Sequence, residues 1–318
     1  MAVTLDDIVA ARQRIGPVVG TSPLRASEWL STADAAIFLK IETVQPTSSY
    51  KIRGAFNAAQ RLVDETPGGR PRLVTASAGN HGKALAYAAR MLGLPLIVFI
   101  AADAPRAKIE AIRAAGADVR PCRDYDEAER QAKASGAAGE AIFISPYAHP
   151  DVIAGAGTLG LELLDQLPQL DAVVVPIGGG GLISGIGTAI KARSPRTRVV
   201  GVEVAASSPF TRSLAAGRIV TIDVAPSLAD GLTGNLDPDT PTFDIVRRVV
   251  DEIVVVGEAA VAAALAGVVT HEHVLVEGAA ATGVAAVQSG KLRLRGNVAV
   301  VLTGGNIDSE RLVSVIAP

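Results

Sequence analysis

Lys51 lies in the segment 42–54, ETVQPTSSYKIRG, between a serine-rich turn and an amphipathic run. From Ile52 onward, apolar or small residues recur at Ile52, Ala55, Phe56, Ala59, Leu62 and Val63, the spacing of one helix face. Ser48 or Ser49 is suited to cap that helix, which sets Lys51 in its first turn. A helix N-terminus carries partial positive charge and disfavours a second positive charge on an ammonium. Lysine in that place is a candidate for a neutral amine, which attacks carbonyls and accepts protons.

Residues 171–192, DAVVVPIGGGGLISGIGTAIKA, run from a short buried strand through four glycines into a helix. Gly178, Gly179, Gly180 and Gly181 lack Cβ, so their backbone N–H groups can converge on an anion. The dipole of the helix that starts near Leu182 adds to the attraction. No triplet here satisfies G-x-G-x-x-G, and no Gly-Lys-Ser/Thr follows, so one phosphate without a nucleotide is expected. A third segment, VTASAGNHGKALAYAARML (74–92), repeats the strand, loop and helix plan, with Leu85, Ala88, Ala89 and Leu92 on the helix face. Ser77, Gly79, Asn80 and His81 stand where that helix starts and suit a carboxylate or an aromatic oxygen. A fourth, NVAVVLTGGNID (297–308), is a buried strand ending in Thr303, Gly304, Gly305 and Asn306. A hydroxyl at a strand's carboxyl end sits where open α/β sheets bind ligands. An activated lysine, a phosphate nest, a carboxylate loop and a strand-end hydroxyl together read as a pyridoxal 5'-phosphate site.

On these motifs the chain resembles the fold-type II pyridoxal-phosphate enzymes, in the threonine/serine dehydratase and serine racemase branch. The resemblance runs in order through QPTSSYKIRGA, SAGNHGKALAYAA, DVIAGAGT, VVVPIGGGGLISG, VEGAAATGVAA and VLTGGN, nearly the whole length. It implies that Lys51 joins the cofactor covalently, that Asn80 contacts the pyridine 3′-oxygen and that Gly178–Gly181 hold the phosphate. It further implies that Thr303 faces the pyridine nitrogen. Ser77, Asn80 and His81 would receive the substrate carboxylate, and Glu277 would lie beneath the cofactor ring.

The implied activity is that of a dehydratase: a β-hydroxy-α-amino acid such as L-threonine or L-serine becomes a 2-oxo acid plus ammonia. Lys51 would take the Cα proton as the β-hydroxyl leaves. Hydroxyaspartate and phenylserine are further members of the substrate class. Racemases of this branch carry a second serine where this chain has Ala78, which exchanges no proton. Cysteine synthase-like β-replacement enzymes show K-D-R, N-T-G and G-T-G-G at the three loops; this chain reads Lys51-Ile52-Arg53, Asn80-His81-Gly82 and four glycines. A non-catalytic ligand-binding protein is the alternative from another class. Some relatives bind a divalent cation through a strand-end glutamate and an aspartate; Glu203 matches the first, but Pro209 stands where the second aligns. No metal site is expected, and His271-Glu272-His273 does not change this, since i and i+2 on a helix face apart.

The elements that must position these residues alternate strand and helix. Strands are expected near 36–41, 73–76, 95–101, 117–120, 142–144, 172–176, 198–204, 253–256 and 297–302, with Pro105 at the first turn of a helix over 105–115. Such alternation predicts an α/β fold of parallel sheets covered by helices on both faces. The four strands from 73 to 144 make a small lobe at 71–149; residues 1–70 and 150–318 make the large cofactor-binding lobe, with the cofactor in the cleft between them. The resemblance sets that boundary. With 318 residues, 49% of them hydrophobic, the chain suits two lobes. A net charge of −2 argues against nucleic acid and anionic membrane as partners. Cys122, the single cysteine, forms no intrachain disulfide, and MAVTLDDIVAARQRI lacks the plan of a signal peptide, so a cytoplasmic location is expected. The sequence runs a dozen residues past TGGN, so no regulatory domain is expected. A homodimer is expected from the resemblance.

Overall fold

The computed structural model describes residues 3–104 and 106–317; the predicted placement of Pro105 lies outside them. In chain order the first elements are α1 (Leu5–Ile15), β1 (Leu24–Ser27), β2 (Ala35–Ile41), α2 (Lys51–Glu65), β3 (Leu73–Ala76), α3 (Asn80–Leu92), β4 (Leu96–Ala101) and α4 (Arg106–Ala114). Then come β5 (Asp118–Cys122), α5 (Tyr125–Ala137), β6 (Ile142–Phe143), α6 (Pro150–Gln166), β7 (Leu170–Pro176), α7 (Gly181–Arg193), β8 (Arg198–Val204) and α8 (Pro209–Ala216). The last are α9 (Thr242–Val249), β9 (Glu252–Val256), α10 (Glu258–Gly267), α11 (Gly278–Gln288), β10 (Gly296–Leu302) and α12 (Ser309–Ile316).

The strands form two sheets, one of order β1-β2-β10-β7-β8-β9 and one of order β5-β4-β3-β6. Every pairing is parallel except β1 with β2. The central strands are apolar on both faces. Val298, Val300 and Leu302 of β10 join one core with Ile37, Leu39, Val174 and Val200, whereas Ala299 and Val301 join a second with Val173, Val175 and Val199. Each such valine, fully buried, contributes about 1.5–3 kcal/mol by leaving water. This two-sided burial is why helices cover both faces.

β1 is the strand that the sequence pattern misses. It holds four residues, LRAS, with Arg25 and Ala26 exposed at the sheet edge, so it shows neither an apolar run nor clean alternation.

α2 is fixed by burial of Ile52, Ala55, Phe56 and Ala59, as its spacing predicts, and by contact with α6. A Cβ on Gly54 would come within 2.6 Å of the Val152 carbonyl oxygen, so the two backbones approach as only glycine permits. Beside that contact lies a fully enclosed ionic cluster. The Arg53 guanidinium donates to both oxygens of Glu42 (2.7 and 2.8 Å) and of Glu162 (2.6 and 3.0 Å). Lys40 Nζ donates to Glu162 (2.7 Å), the Ser22 carbonyl (2.8 Å) and Gln166 (2.8 Å). Two cations face two carboxylates with their hydrogen bonds made, the condition under which buried charge is tolerated. The Glu42–Arg53 fork closes the stretch of chain that carries Lys51. Among the described residues, no helix is long and apolar enough to cross a membrane.

Candidate active site

Lys51 is the first residue of α2, but neither Ser48 nor Ser49 caps the helix: the N-cap is Tyr50, with no side-chain capping bond. The serines are used otherwise. Ser48 donates its N–H to the Gln45 carbonyl (2.7 Å), and its own carbonyl accepts from Gly305 N–H (2.9 Å). Ser49 forms a bridge with Gly304, and Tyr50 N–H donates to the Thr303 carbonyl (3.0 Å). The turn thus docks on the end of β10 as a short extra strand, which takes both serines out of capping geometry and sets Lys51 beside Thr303. Lys51 Nζ donates to the Pro146 carbonyl oxygen at 2.8 Å.

The segment 144–147 is where the predicted groups meet. The Ile144 carbonyl takes the Thr75 hydroxyl (2.8 Å) and His81 Nε2 (3.2 Å). Burial, with the Lys51 charge adding, lowers the His81 pKa to about 3, so the ring is neutral and its Nε2 carries the donated hydrogen. Its Nδ1 is buried without a partner among the described residues. The Nε2 edge of the ring is therefore committed to the scaffold. Pro146 holds Lys51, and the next residue, Tyr147, lays its ring on Gly179 and its backbone on Gly181; a Cβ at Gly179 would overlap the ring. Pro146 carries no side-chain signal in the sequence, because the partner it offers is a carbonyl.

The glycine loop follows β7. Gly180 adopts a left-handed φ of +84° as the N-cap of α7, and a Cβ there would also meet the Phe210 ring at 2.5 Å. Thr242 hydroxyl donates to the Gly179 carbonyl at 2.9 Å, which fixes the peptide plane. Among the described residues, no acceptor takes the N–H groups of Gly178, Gly179, Gly180, Gly181 and Leu182. These amides stand unpaired at the positive end of a 13-residue helix, the arrangement that holds a phosphate.

Asn80 starts α3, whose N-cap Gly79 makes no side-chain capping bond. Ser77 Oγ accepts from Gly79 N–H at 3.2 Å, and the N–H groups of Asn80, His81 and Gly82 find no acceptor among the described residues. A second cluster of unpaired amides therefore stands at the start of α3, suited to a carboxylate. The Asn80 side chain donates to Glu277 Oε1 at 2.7 Å and accepts from Asn306 Nδ2 at 2.6 Å. Burial pushes the Glu277 carboxyl up to about 7 against the opposing Asn80 bond. That carboxylate lies 2.7 Å from where a Cβ on Gly304 would be, one residue past Thr303, which is itself buried. Asn306 and Lys83, which together hold Asn80, were not singled out as binding residues; their contacts span more than two hundred residues of chain.

Other sequence candidates lie outside this constellation. Glu203, at the end of β8, accepts from the N–H groups of Phe210 and Thr211 (2.8 Å each) and from the Thr211 hydroxyl (2.6 Å), so it caps α8. Of the histidine pair, His271 stacks on Trp29 (4.7 Å between ring centroids), and Glu272 between them accepts from Arg25 and Ser27. His149 caps α6 through Nδ1, which accepts from Asp151 N–H at 3.2 Å. A surface groove of about 620 Å³ lined by Arg72, Lys133, Glu140 and Phe143 contains none of the predicted site residues.

Comparison with known proteins points one way. The family model described as pyridoxal-phosphate dependent enzyme matches residues 15–304. An L-threonine ammonia-lyase of Thermotoga maritima is 41% identical over 318 residues, which span 99% of this chain and 78% of that one. The crystal structure of a T.th. threonine deaminase superposes with a TM-score of 0.86 at 38% identity, covering 96% of this chain and 99% of the other. Maize serine racemase superposes with a TM-score of 0.91 at 33% identity, covering 99% and 97%.

Proposed function

The chain belongs to the pyridoxal-phosphate-dependent enzymes, and from that membership we propose that it is a lyase that converts L-threonine or L-serine to the 2-oxo acid and ammonia. The residues present suit the cofactor. The unpaired amides from Gly178 to Leu182 would hold its phosphate, Lys51 its aldehyde carbon, Asn80 its 3′-oxygen and Thr303 the ring nitrogen. Buried hydroxyls of Thr47 and Ser49 and the His81 Nδ1, each without a partner among the described residues, mark the surroundings as polar and incompletely satisfied. When bound, pyridoxal phosphate supplies an electron sink for charge left at Cα of the substrate.

The rest is the work of this chain. The amides at the start of α3, with Ser77, receive the substrate carboxylate and orient Cα. The Lys51 amine, held by the Pro146 carbonyl, is the base that takes the Cα proton. Thr303 would offer the ring nitrogen a hydroxyl, not a carboxylate, and so would not hold it protonated. This favours prompt departure of the β-hydroxyl over transamination. Water leaves from Cβ and water later enters to release ammonia, so threonine yields 2-oxobutanoate and ammonia with no oxidant.

The single observation that supports this reading is the Lys51–Pro146–Tyr147–Gly179 succession, which links the Lys51 side chain to the loop of unpaired amides through two adjacent residues. Ala78, between Ser77 and Gly79, offers no exchangeable proton, which favours elimination over racemisation. The division into lobes 1–70 with 150–318 and 71–149 belongs to the same reading; a separate sheet formed by β3 to β6 supports it. A homodimeric assembly and a cytoplasmic location belong to this reading too, the latter supported by the single unpaired Cys122. The test is Lys51→Ala: a folded protein without 2-oxo acid production and without a borohydride-fixed cofactor on residue 51 is expected. Full turnover by that variant would end the proposal.

A further inference from the structure

Four side chains from three separate segments of the chain form a line of hydrogen bonds. Lys83 Nζ donates to Asn306 Oδ1 at 2.7 Å, Asn306 Nδ2 donates to Asn80 Oδ1 at 2.6 Å, and Asn80 Nδ2 donates to Glu277 Oε1 at 2.7 Å. Lys83 and Asn80 lie on α3; Asn306 follows β10, and Glu277 precedes α11. The line has a direction. An ammonium has three donors and no acceptor, so the end of Asn306 that meets Lys83 is the oxygen. The nitrogen of Asn306 is then turned to Asn80, and the Thr47 carbonyl, an acceptor only, takes the same nitrogen at 3.0 Å. Asn80 must in turn show its oxygen to Asn306 and its nitrogen to the cleft. The two ends of an asparagine amide are nearly identical in shape, so packing alone does not choose between them. Lys83 and the Thr47 carbonyl, acting through Asn306, choose.

We propose that Lys83 is a positioning residue that fixes the Asn80 amide with its nitrogen facing the cofactor. The inference rests on the reading of Asn80 as the partner of the cofactor's ring oxygen. One hydrogen of Asn80 Nδ2 goes to Glu277, and the second is left for that oxygen. A reversed amide would set two oxygens against each other.

The test is equilibrium binding of pyridoxal phosphate to the full chain stripped of cofactor, followed by absorbance and without reference to turnover. It is run beside an analogue that lacks the ring hydroxyl. Lys83→Gln keeps a donor toward Asn306, and its dissociation constant is expected to stay within about threefold of the parent. Lys83→Met removes the donor and weakens binding about tenfold, the scale of one hydrogen bond. Lys83→Glu presents an acceptor, favours the reversed amide and weakens binding further. None of these losses is expected with the analogue, which gives Asn80 nothing to contact. Equal losses with both compounds, or Gln and Glu variants of equal affinity, overturn the proposal even if Lys83→Met fails to fold. Failure of the parent chain to bind pyridoxal phosphate at all overturns the reading of the site along with it.

Discussion

Asn80 donates its side-chain amide to Glu277 at 2.7 Å, and the carboxyl that accepts is raised by burial to about 7. The Asn80 bond and the Lys108 charge pull the other way, while Asp230 adds to the rise. In the unfolded chain the same carboxyl titrates near the ordinary glutamate value. Between about pH 4.5 and 7 the folded protein keeps a proton that the unfolded chain loses, so this group's contribution falls by about 3 kcal/mol as pH rises, then levels. Glu277→Gln is expected to flatten that slope in urea melts, leaving the variant near the parent at pH 5 and more stable at pH 8. Parallel slopes for the two proteins would show that the carboxyl ionises normally.

Among the described residues Arg53 is the only guanidinium between Glu42 and Glu162, and all three are buried. Burial pushes the Glu42 carboxyl up, but the Arg53 charge and hydrogen bonds, the Ser22 hydroxyl and the Lys40 charge together outweigh it and hold the carboxyl below its ordinary value. In Arg53→Met two carboxylates share Lys40 alone, which is expected to cost about 3–5 kcal/mol. Arg53→Lys keeps the charge but not the two-sided fork and loses less. Chemical denaturation measures both. A change below about 1 kcal/mol for the methionine variant would mean that the cluster relaxes or admits water.

How much of this was legible depends on the range of the contact. β7, β8 and β10 read directly, because Val173–Val175, Val199–Val200 and Val298–Val301 are apolar on both faces, and so did the helices that must flank them. The glycine loop and Lys51 read as chemistry because each sits at a helix start. The cap of α2 did not read: Ser48 and Ser49 are good capping residues locally, but docking on Thr303 and Gly304, more than 250 positions away, overrides that preference. Pro146 and the Lys83–Asn306–Asn80 line stayed hidden for the same reason, since nothing in a linear pattern tells which carbonyl or amide will arrive opposite.

Ser48 has a φ of +56°, a left-handed conformation that favours glycine. Its N–H and carbonyl are both bonded, to Gln45 and Gly305, so the backbone cannot relax without breaking them. Ser48→Gly is expected to stabilise the fold by about 1 kcal/mol, the left-handed penalty less the extra entropy of the unfolded glycine. Thermal melts decide it. A destabilised variant would mean that the hydroxyl makes a contact worth more than the strain.

Glu203 spends both carboxylate oxygens on α8, through Phe210 N–H, Thr211 N–H and the Thr211 hydroxyl. Burial pushes its pKa up, and these three bonds oppose that rise. A cation placed here would have to displace helix-capping donors, and Pro209, the neighbouring residue at the start of α8, has no oxygen in its side chain to offer. Removing divalent ions with a chelator is therefore expected to leave both melting temperature and 2-oxo acid production unchanged. Glu203→Ala is expected to cost about 1–2 kcal/mol from the lost cap, with or without added magnesium or calcium. A melting temperature that rises with added cation in the parent chain and not in Glu203→Ala would show that the carboxylate gives up its helix for a metal.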